Sequence, residues 1–199
     1  MDGRRNRSIP RTVATAMAIL LVLGGATACR LTGAVDVGVG KGVACAVLED
    51  ATVRCWGPND HGQVGDGTTI RRSTPTAVIG LTGVAQVAGG PDAACARRAD
   101  GTVACWGANA DGQLGDGTTT DRHVPTTVSN LDTATDISLG GGIGHEGFPP
   151  WGVPPYPGGN FACAALTDGD VRCWGANGHG QLGDGTTTTS TVPVAVTGI

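Results

Sequence analysis

The amino-acid sequence predicts an all-β protein made of β-propeller-type repeats, with about three four-stranded blades in an open or incomplete ring. Two observations support this prediction: an unusual composition and a long motif that occurs three times. The 199 residues include 35 glycines and 11 prolines, and only 4% are aromatic. Glycine at this level disfavours long helices and favours short strands joined by turns.

The repeated motif begins with a pair of cysteines and ends in a threonine-rich stretch. From the second cysteine the copies read "CWGPNDHGQVGDGTT", "CWGANADGQLGDGTT" and "CWGANGHGQLGDGTT", with 11 of 15 positions identical. The first two copies are 50 residues apart and the last two are 68 apart, because one insertion occupies residues 143–159. A period of this size indicates a solenoid, a propeller or an array of repeats.

Each repeat contains the signals of four short strands. Alternating runs such as "AVDVGVG" predict the first strand. A hairpin follows, whose turn has Gly101 or Gly169 in the later copies and Ala51 in the first, so the first hairpin should be less ideal. Segments such as "TPTAV" predict a Pro-led fourth strand. The predicted repeats are residues 34–83, 84–133 and 134–199.

Residues that recur in every copy are expected to build the scaffold. The tryptophans should pack between blades, the glycines suit tight loop positions, and each aspartate precedes a glycine that can turn the chain. These residues are Trp56, Trp106 and Trp174; Gly62, Gly112 and Gly180; and Asp66, Asp116 and Asp184.

The string "CWGANxxGQLGDGTTT", preceded by a "CAL-DG-V" hairpin, resembles the regulator of chromosome condensation repeat, in particular its bacterial secreted, cysteine-paired branch. The resemblance covers residues 34–199 and implies a propeller of four-stranded blades, usually seven. Three repeats cannot close such a ring. Three explanations are compatible with this number: a truncated reading frame, ring completion by association with another chain, and a stable open arc.

The six cysteines of the repeats are predicted to form three disulfides, Cys45–Cys55, Cys95–Cys105 and Cys163–Cys173. The two members of each pair are ten residues apart and symmetric about the hairpin turn, which places them opposite each other on adjacent strands. Zinc sites and plain core cysteines were the alternatives. Zinc is disfavoured because the pairs are spread one per repeat with no recurring histidine beside them.

The N-terminus has the features of an export signal. Four arginines precede an uncharged apolar run and a small-residue stretch ending in "ATAC". We expect residues 1–28 to be a signal peptide, Cys29 to be lipidated at the new N-terminus, and residues 29–33 to be a linker; simple cleavage after Ala28 is the alternative. The remaining chain has nine basic and sixteen acidic residues, a net charge of about −7 that disfavours nucleic acid as a partner.

Several chemical motifs were considered and disfavoured, so we expect no cofactor and no metal. Gly178, Gly180 and Gly183 have the spacing G-x-G-x-x-G, but no helix is predicted after them and Gly178 does not recur. The calcium-loop spacing D-x-[DN]-x-[DN]-G is absent. His145 and Glu146 could form an acid–base pair, but they are expected to be polar surface.

The insertion offers the clearest candidate for recognition. Phe148, Trp151 and Tyr156 lie among five prolines, and aromatic side chains on stiff loops suit binding hot spots. The alternative is that they cover the third blade. The predicted function is an exported, non-enzymatic scaffold with an unknown protein partner and a lipid anchor, able to self-associate. Relatives that act as a nucleotide-exchange factor for a small GTPase and as a secreted β-lactamase inhibitor fit this prediction; an exchange-factor-like regulator and a propeller lyase or hydrolase were kept as alternatives.

Overall fold

The fold consists of three antiparallel four-stranded sheets, which we call blades 1 to 3. The computed structural model describes residues 33–41, 43–141 and 159–199. Blade 1 contains β1 (Ala34–Val39), β2 (Ala44–Leu48), β3 (Val53–Gly57) and β4 (Arg72–Ala77). Blade 2 contains β5 (Val84–Gly89), β6 (Ala93–Arg98), β7 (Val103–Gly107) and β8 (Arg122–Thr127). Blade 3 contains β9 (Ala134–Gly140), β10 (Phe161–Leu166), β11 (Val171–Gly175) and β12 (Ser190–Ala195).

Within each blade the strands pair in sequence order, so every connection joins neighbouring antiparallel strands. The first strand carries a bulge in each blade, and the pairing of the third and fourth strands shifts beyond the cysteine. The all-β prediction and the prediction of three four-stranded, propeller-like blades that do not close are confirmed.

The three predicted disulfides are present at the centres of the blades. Each joins directly opposite residues of the second and third strands, with Cα–Cα distances of 4.0 to 4.1 Å. This distance is close to that of non-hydrogen-bonded antiparallel pairs. The six cysteines of the repeats are therefore disulfide-bonded and do not form zinc sites.

The first hairpin turn shows how Ala51 replaces the glycine of the other copies. Ala51 has a φ of 60°, whereas Gly101 and Gly169 have 86° and 95°. All three turns close with equivalent hydrogen bonds, in which the N–H group at this position donates to the carbonyl of Leu48, Arg98 or Leu166. The hairpin is thus kept in a conformation that glycine would adopt more easily.

The hydrophobic core lies between the blades. One cluster contains Val43, Val47 and Val53 of blade 1 together with Val87 and Trp106 of blade 2. We call the face that carries the disulfide the trailing face of a blade, and the face that carries the tryptophan its leading face. The first core cluster therefore joins the trailing face of blade 1 to the leading face of blade 2.

A second cluster repeats this arrangement between blades 2 and 3. Val103, Leu114 and Leu131 pack against Ile137 and Trp174. Equivalent residues thus make both interfaces, because the internal repeat places the same side chains at each one. Each complete interface requires the trailing face of one blade and the leading face of the next.

Candidate functional site

One end of the three blades collects their long loops. Residues 58–71, 108–121 and 176–189 connect the third strand of each blade to the fourth. In antiparallel blades, the connection between the first and second strands emerges at this same end. The β9–β10 connection, whose sequence contains the insertion at residues 143–159, leaves blade 3 at Gly140 and re-enters it at Phe161, at this same end. We call this end the loop face.

A buried asparagine organises each long loop. The Oδ1 atom of Asn109 accepts the N–H of Leu114 at 3.0 Å, while its Nδ2 donates to the carbonyls of Thr118 and Thr120 at 3.1 and 3.0 Å. Asn59 and Asn177 make the equivalent bonds in the other blades. All three side chains are fully buried, so one amide satisfies three backbone groups that would otherwise be left without partners.

An aspartate holds the second half of each loop. In blade 2, Asp116 accepts bonds from the Thr118 N–H and hydroxyl at 2.9 and 2.7 Å, and from Arg122 Nε at 2.8 Å. Burial opposes ionisation of Asp116, but the bonds from Thr118 and Arg122 outweigh it and hold the pKa of Asp116 below its ordinary value. The pKa of Asp66 is lowered for the same reasons. Ser190 stands where the other blades have arginine, so Asp184 lacks that cation.

The recurring tryptophan connects each blade to the loop of the preceding one. Trp106 Nε1 donates to the carbonyl of Gln63 at 2.9 Å, and Trp174 Nε1 donates to that of Gln113 at the same distance. Both indoles are completely buried. Trp56 has the same sequence context but is only partly buried, because no described blade precedes it.

A glycine in the loop lets the indole approach this closely. A Cβ atom added to Gly115, which has a φ of +68°, would lie 2.8 Å from Trp174 Nε1. Gly65 has the same relation to Trp106. The predicted loop glycines Gly62, Gly112 and Gly180 also have positive φ, between 74° and 79°. Gly62 lies against His123 and Gly112 against Thr191 of the following blade.

Polar contacts on the loop face also cross between blades. His61 Nδ1 and Asp121 Oδ2 are 2.9 Å apart, joining blades 1 and 2. Asp111, the equivalent of His61, accepts the backbone N–H of Asn160 at 2.9 Å. Asn160 lies at the end of the insertion, so this bond ties one insertion terminus to the loop of blade 2.

The binding and modification sites predicted from the sequence lie outside the described residues. This applies to the aromatic residues Phe148, Trp151 and Tyr156, to the pair His145 and Glu146, and to Cys29. In the ranges that the structure does describe, no three His, Cys, Asp or Glu side chains gather in a way that could hold a metal ion. Those ranges also contain no helix with the length and hydropathy needed to cross a bilayer.

The loop asparagines and glutamines were not predicted from the sequence. Asn59 and Gln63 recur in every copy, but only the glycines and aspartates were interpreted, as turn formers. The available signal was that these two polar residues are invariant among the three repeats. Gln63 Oε1 accepts the His61 N–H at 3.0 Å, and the equivalent bond occurs in both later loops.

Comparison with known proteins places these blades in a family. Interlocked four-stranded blades of this kind define a β-propeller-type repeat protein. Two profiles, both described as the regulator of chromosome condensation (RCC1) repeat, match the chain, one at residues 50–96 and 100–144 and the other at residues 84–113 and 158–181. The chain belongs to the RCC1 repeat family.

Solved structures share the blade architecture at low sequence identity. Human WBSCR16 is 24% identical, with a TM-score of 0.65 over 83% of this chain and 38% of that protein. Yeast RCC1 (Prp20), solved with Kap60 bound, is 18% identical, with a TM-score of 0.62 and the same coverage. The chain thus spans 38% of the length of each of these structures. No curated protein sequence matches it.

Proposed function

We propose that this chain is an exported, non-enzymatic RCC1-repeat scaffold that binds a protein partner through its loop face. The observation that carries the proposal is that the three long loops and both ends of the connection that contains the insertion lie at one end of the blades. The loops are fixed by buried asparagines and cross-blade bonds, so they form a rigid frame beside the points where that connection leaves and re-enters blade 3. A rigid frame lowers the entropy cost of presenting a recognition segment.

Three disulfides support the proposal of export. Disulfides persist in oxidising compartments and are rare in the cytosol. Each bridge closes a hairpin within its own blade, with a sequence separation of 10 residues. Together with the arginine-rich, apolar N-terminal segment, they favour the bacterial secreted branch of the family, with residues 1–28 as signal peptide and Cys29 as the lipidated residue.

The aromatic residues of the insertion and the relatives support a protein partner. Phe148, Trp151 and Tyr156 would supply large apolar contacts on the loop face, as binding hot spots do. Yeast RCC1 (Prp20) was solved with Kap60 bound to it, and a second structure of Prp20p was presented with its binding properties toward Gsp1p and histones. These partners belong to the yeast protein, but they illustrate that RCC1 blades can act through protein contacts.

Two other functions remain as alternatives. An exchange-factor-like regulator would need a cytosolic GTPase, which the proposed export disfavours. A propeller lyase or hydrolase would rely on His145 and Glu146 in the insertion. Replacing both by alanine separates the classes: loss of a turnover activity would establish the enzyme, whereas partner binding that survives this change and depends on Trp151 would establish the scaffold.

Export and anchoring can be tested by expressing the full chain in a bacterium with intact export. We expect intact-mass analysis to show cleavage before Cys29, a diacylglycerol adduct on that cysteine, and the other six cysteines unreactive toward a thiol reagent. Cys29→Ala should remove the adduct while leaving the three disulfides intact. Uncleaved chain with reactive thiols would refute export, and cleaved chain without the adduct would refute the anchor alone.

Partner binding can be tested with a photo-crosslinking amino acid at Val153, which leaves Trp151 in place, and, as a matched control, at Asp50 on the opposite end of blade 1. Crosslinks to a defined protein should form from position 153 and not from position 50. A competing excess of wild-type chain should suppress them, and excess chain carrying Trp151→Ala should not. Equal crosslinking from both positions would refute a binding site on the loop face.

A further inference from the structure

We propose that the leading face of blade 1 docks onto the trailing face of blade 3 of a second copy, so that the chain self-associates head to tail. A trailing face already packs against a leading face twice within the chain, between blades 1 and 2 and between blades 2 and 3. The proposal names the two surfaces and their orientation, and it is independent of the loop-face partner proposed above.

The leading face of blade 1 is exposed and carries apolar side chains together with Arg54, the equivalent of Arg172 on the leading face of blade 3. Val37 is 65% exposed, whereas its equivalents Val87 and Ile137 are both 4% exposed inside the two inter-blade cores. Val39 on the same face is 71% exposed. Trp56 is partly buried, and nothing in residues 33–41, 43–141 and 159–199 accepts a hydrogen bond from its indole nitrogen. The face therefore has the composition of an interface without a described neighbour.

The trailing face of blade 3 exposes side chains whose equivalents are buried in blades 1 and 2. Ile199 is 76% exposed, although its equivalents Leu81 and Leu131 are 2% and 4% exposed. Val171 and Cys163 are partly exposed where the equivalent residues of blades 1 and 2 are buried. A Cβ added to Gly183 would meet Val196 but no indole, whereas the equivalent Gly65 and Gly115 each lie against a tryptophan. No described indole thus lies beside Gly183.

The internal interfaces define what this face accepts. Trp56 of a second copy would occupy the place of Trp174, donating to the Gln181 carbonyl as Trp174 does to that of Gln113. Gly180 would lie against Ser73, the equivalent of the Thr191 that lies against Gly112. A second copy therefore supplies the side chains that the open face requires.

One pair of charges is mismatched in this arrangement. His61 pairs with Asp121 between blades 1 and 2, but the equivalent pair between copies would be His179 and Arg71. Arg71→Asp would restore the internal pairing. Because such an ion pair is half-exposed, this variant should strengthen association only about two- to fivefold.

The test is sedimentation velocity of the purified, oxidised full chain over a concentration series. The wild type should associate reversibly. Val37→Asp on the leading face and Val171→Asp on the trailing face should each raise the Kd by more than about tenfold, since an unpaired carboxylate would enter an apolar interface. Ile70→Asp is the matched control: Ile70 is 62% exposed, and its equivalents Thr120 and Thr188 are also exposed.

Mixing the two defective variants tests the head-to-tail orientation. The Val37→Asp chain has an unchanged trailing face, and the Val171→Asp chain has an unchanged leading face. These two faces can pack together in an equimolar mixture, which should therefore form a two-chain complex that neither variant forms alone. A monomeric wild type would overturn the proposal. A mixture that stays monomeric, or loss of association in only one of the two variants, would overturn the orientation and with it the proposal.

Circular dichroism would check that the variants fold. If either is unfolded, Val39→Asp and Ile199→Asp replace them at positions that are 71% and 76% exposed, where a charge has little effect on the isolated chain. The same outcomes then apply. Association that persists unchanged in all four variants would show that other surfaces mediate it.

Discussion

Replacing Gly115 by alanine should destabilise the protein far more than the same change at Gly183. Both glycines have left-handed backbone, with φ of +68° and +65°, and an added Cβ would lie 2.9 Å from a valine Cγ1 in each case. Only at Gly115 would the new methyl group also lie 2.8 Å from a buried indole nitrogen, that of Trp174. The pair of variants therefore isolates the cost of disturbing the contact between blades.

The expected magnitudes follow from these contacts. Alanine in the left-handed region costs about 1–2 kcal/mol at either position. Overpacking against Trp174 should add about 1–3 kcal/mol at Gly115 alone, partly by lengthening its bond to the Gln113 carbonyl. Urea denaturation, followed by tryptophan fluorescence at a concentration where the chain is monomeric, would give both free energies of unfolding. Equal destabilisation by the two variants would refute the inference that the glycine is required by the indole.

Three further predictions concern the loops and turns. Asn109→Ala should lower the free energy of unfolding by about 2 kcal/mol or more, measured by urea denaturation, because the buried N–H of Leu114 and two less buried carbonyls lose their partner; a change under about 1 kcal/mol would refute the role of the amide. Ala51→Gly should leave the free energy of unfolding unchanged or raise it by up to about 1 kcal/mol. Gly169→Ala should lower it by about 1 kcal/mol, although the added Cβ would contact no other atom, because alanine is strained at this positive φ. Thermal melting would measure both changes, and a loss of stability in both variants would contradict this prediction. Because the pKa of Asp116 is lowered in the folded state, its ionised form stabilises the fold at neutral pH, and this stabilisation is lost as the pH falls through the folded-state pKa. Between about pH 5 and pH 3 the free energy of unfolding of the wild type should therefore fall by more than that of Asp116→Asn. Parallel pH profiles of the two proteins would refute the stabilising role of the ionised Asp116.

Much of the fold could be predicted from the sequence because the deciding signals are local. The cysteine pairs flank a short turn, so the hairpin register alone places Cys95 opposite Cys105. The segments that contain Pro75, Pro125 and Pro193 form the outer strands β4, β8 and β12, where a missing N–H group is tolerated. Each strand begins three residues before its proline, so the proline lies within the strand and does not lead it. Ala51 shows that a hairpin can form without the turn glycine, since the flanking pairs fix its backbone.

The environment of the tryptophans could not be predicted in the same way. Trp56, Trp106 and Trp174 lie in nearly identical sequences, and the prediction gave all three the same role between blades. Their burial depends on a neighbouring blade that is distant in sequence, and Trp56 has none in the described part of the chain. The loop asparagines were missed for a different reason: their partners lie within their own loop, and a buried amide bonded to backbone groups and to a nearby aspartate and threonine leaves no charge pattern or motif.

The distribution of the core indicates that the unit of stability is the interface and not the blade. Each hydrophobic cluster combines residues of two blades, and Trp106 and Trp174 each donate to a carbonyl in the preceding blade. A single blade would contain its disulfide and hairpins but no complete core. In such a linear array stability grows with the number of interfaces, and three blades in one chain contain two. A third interface, formed with another copy, would add apolar burial of the same kind without any new type of contact, because the surfaces that it needs are already encoded by the repeat.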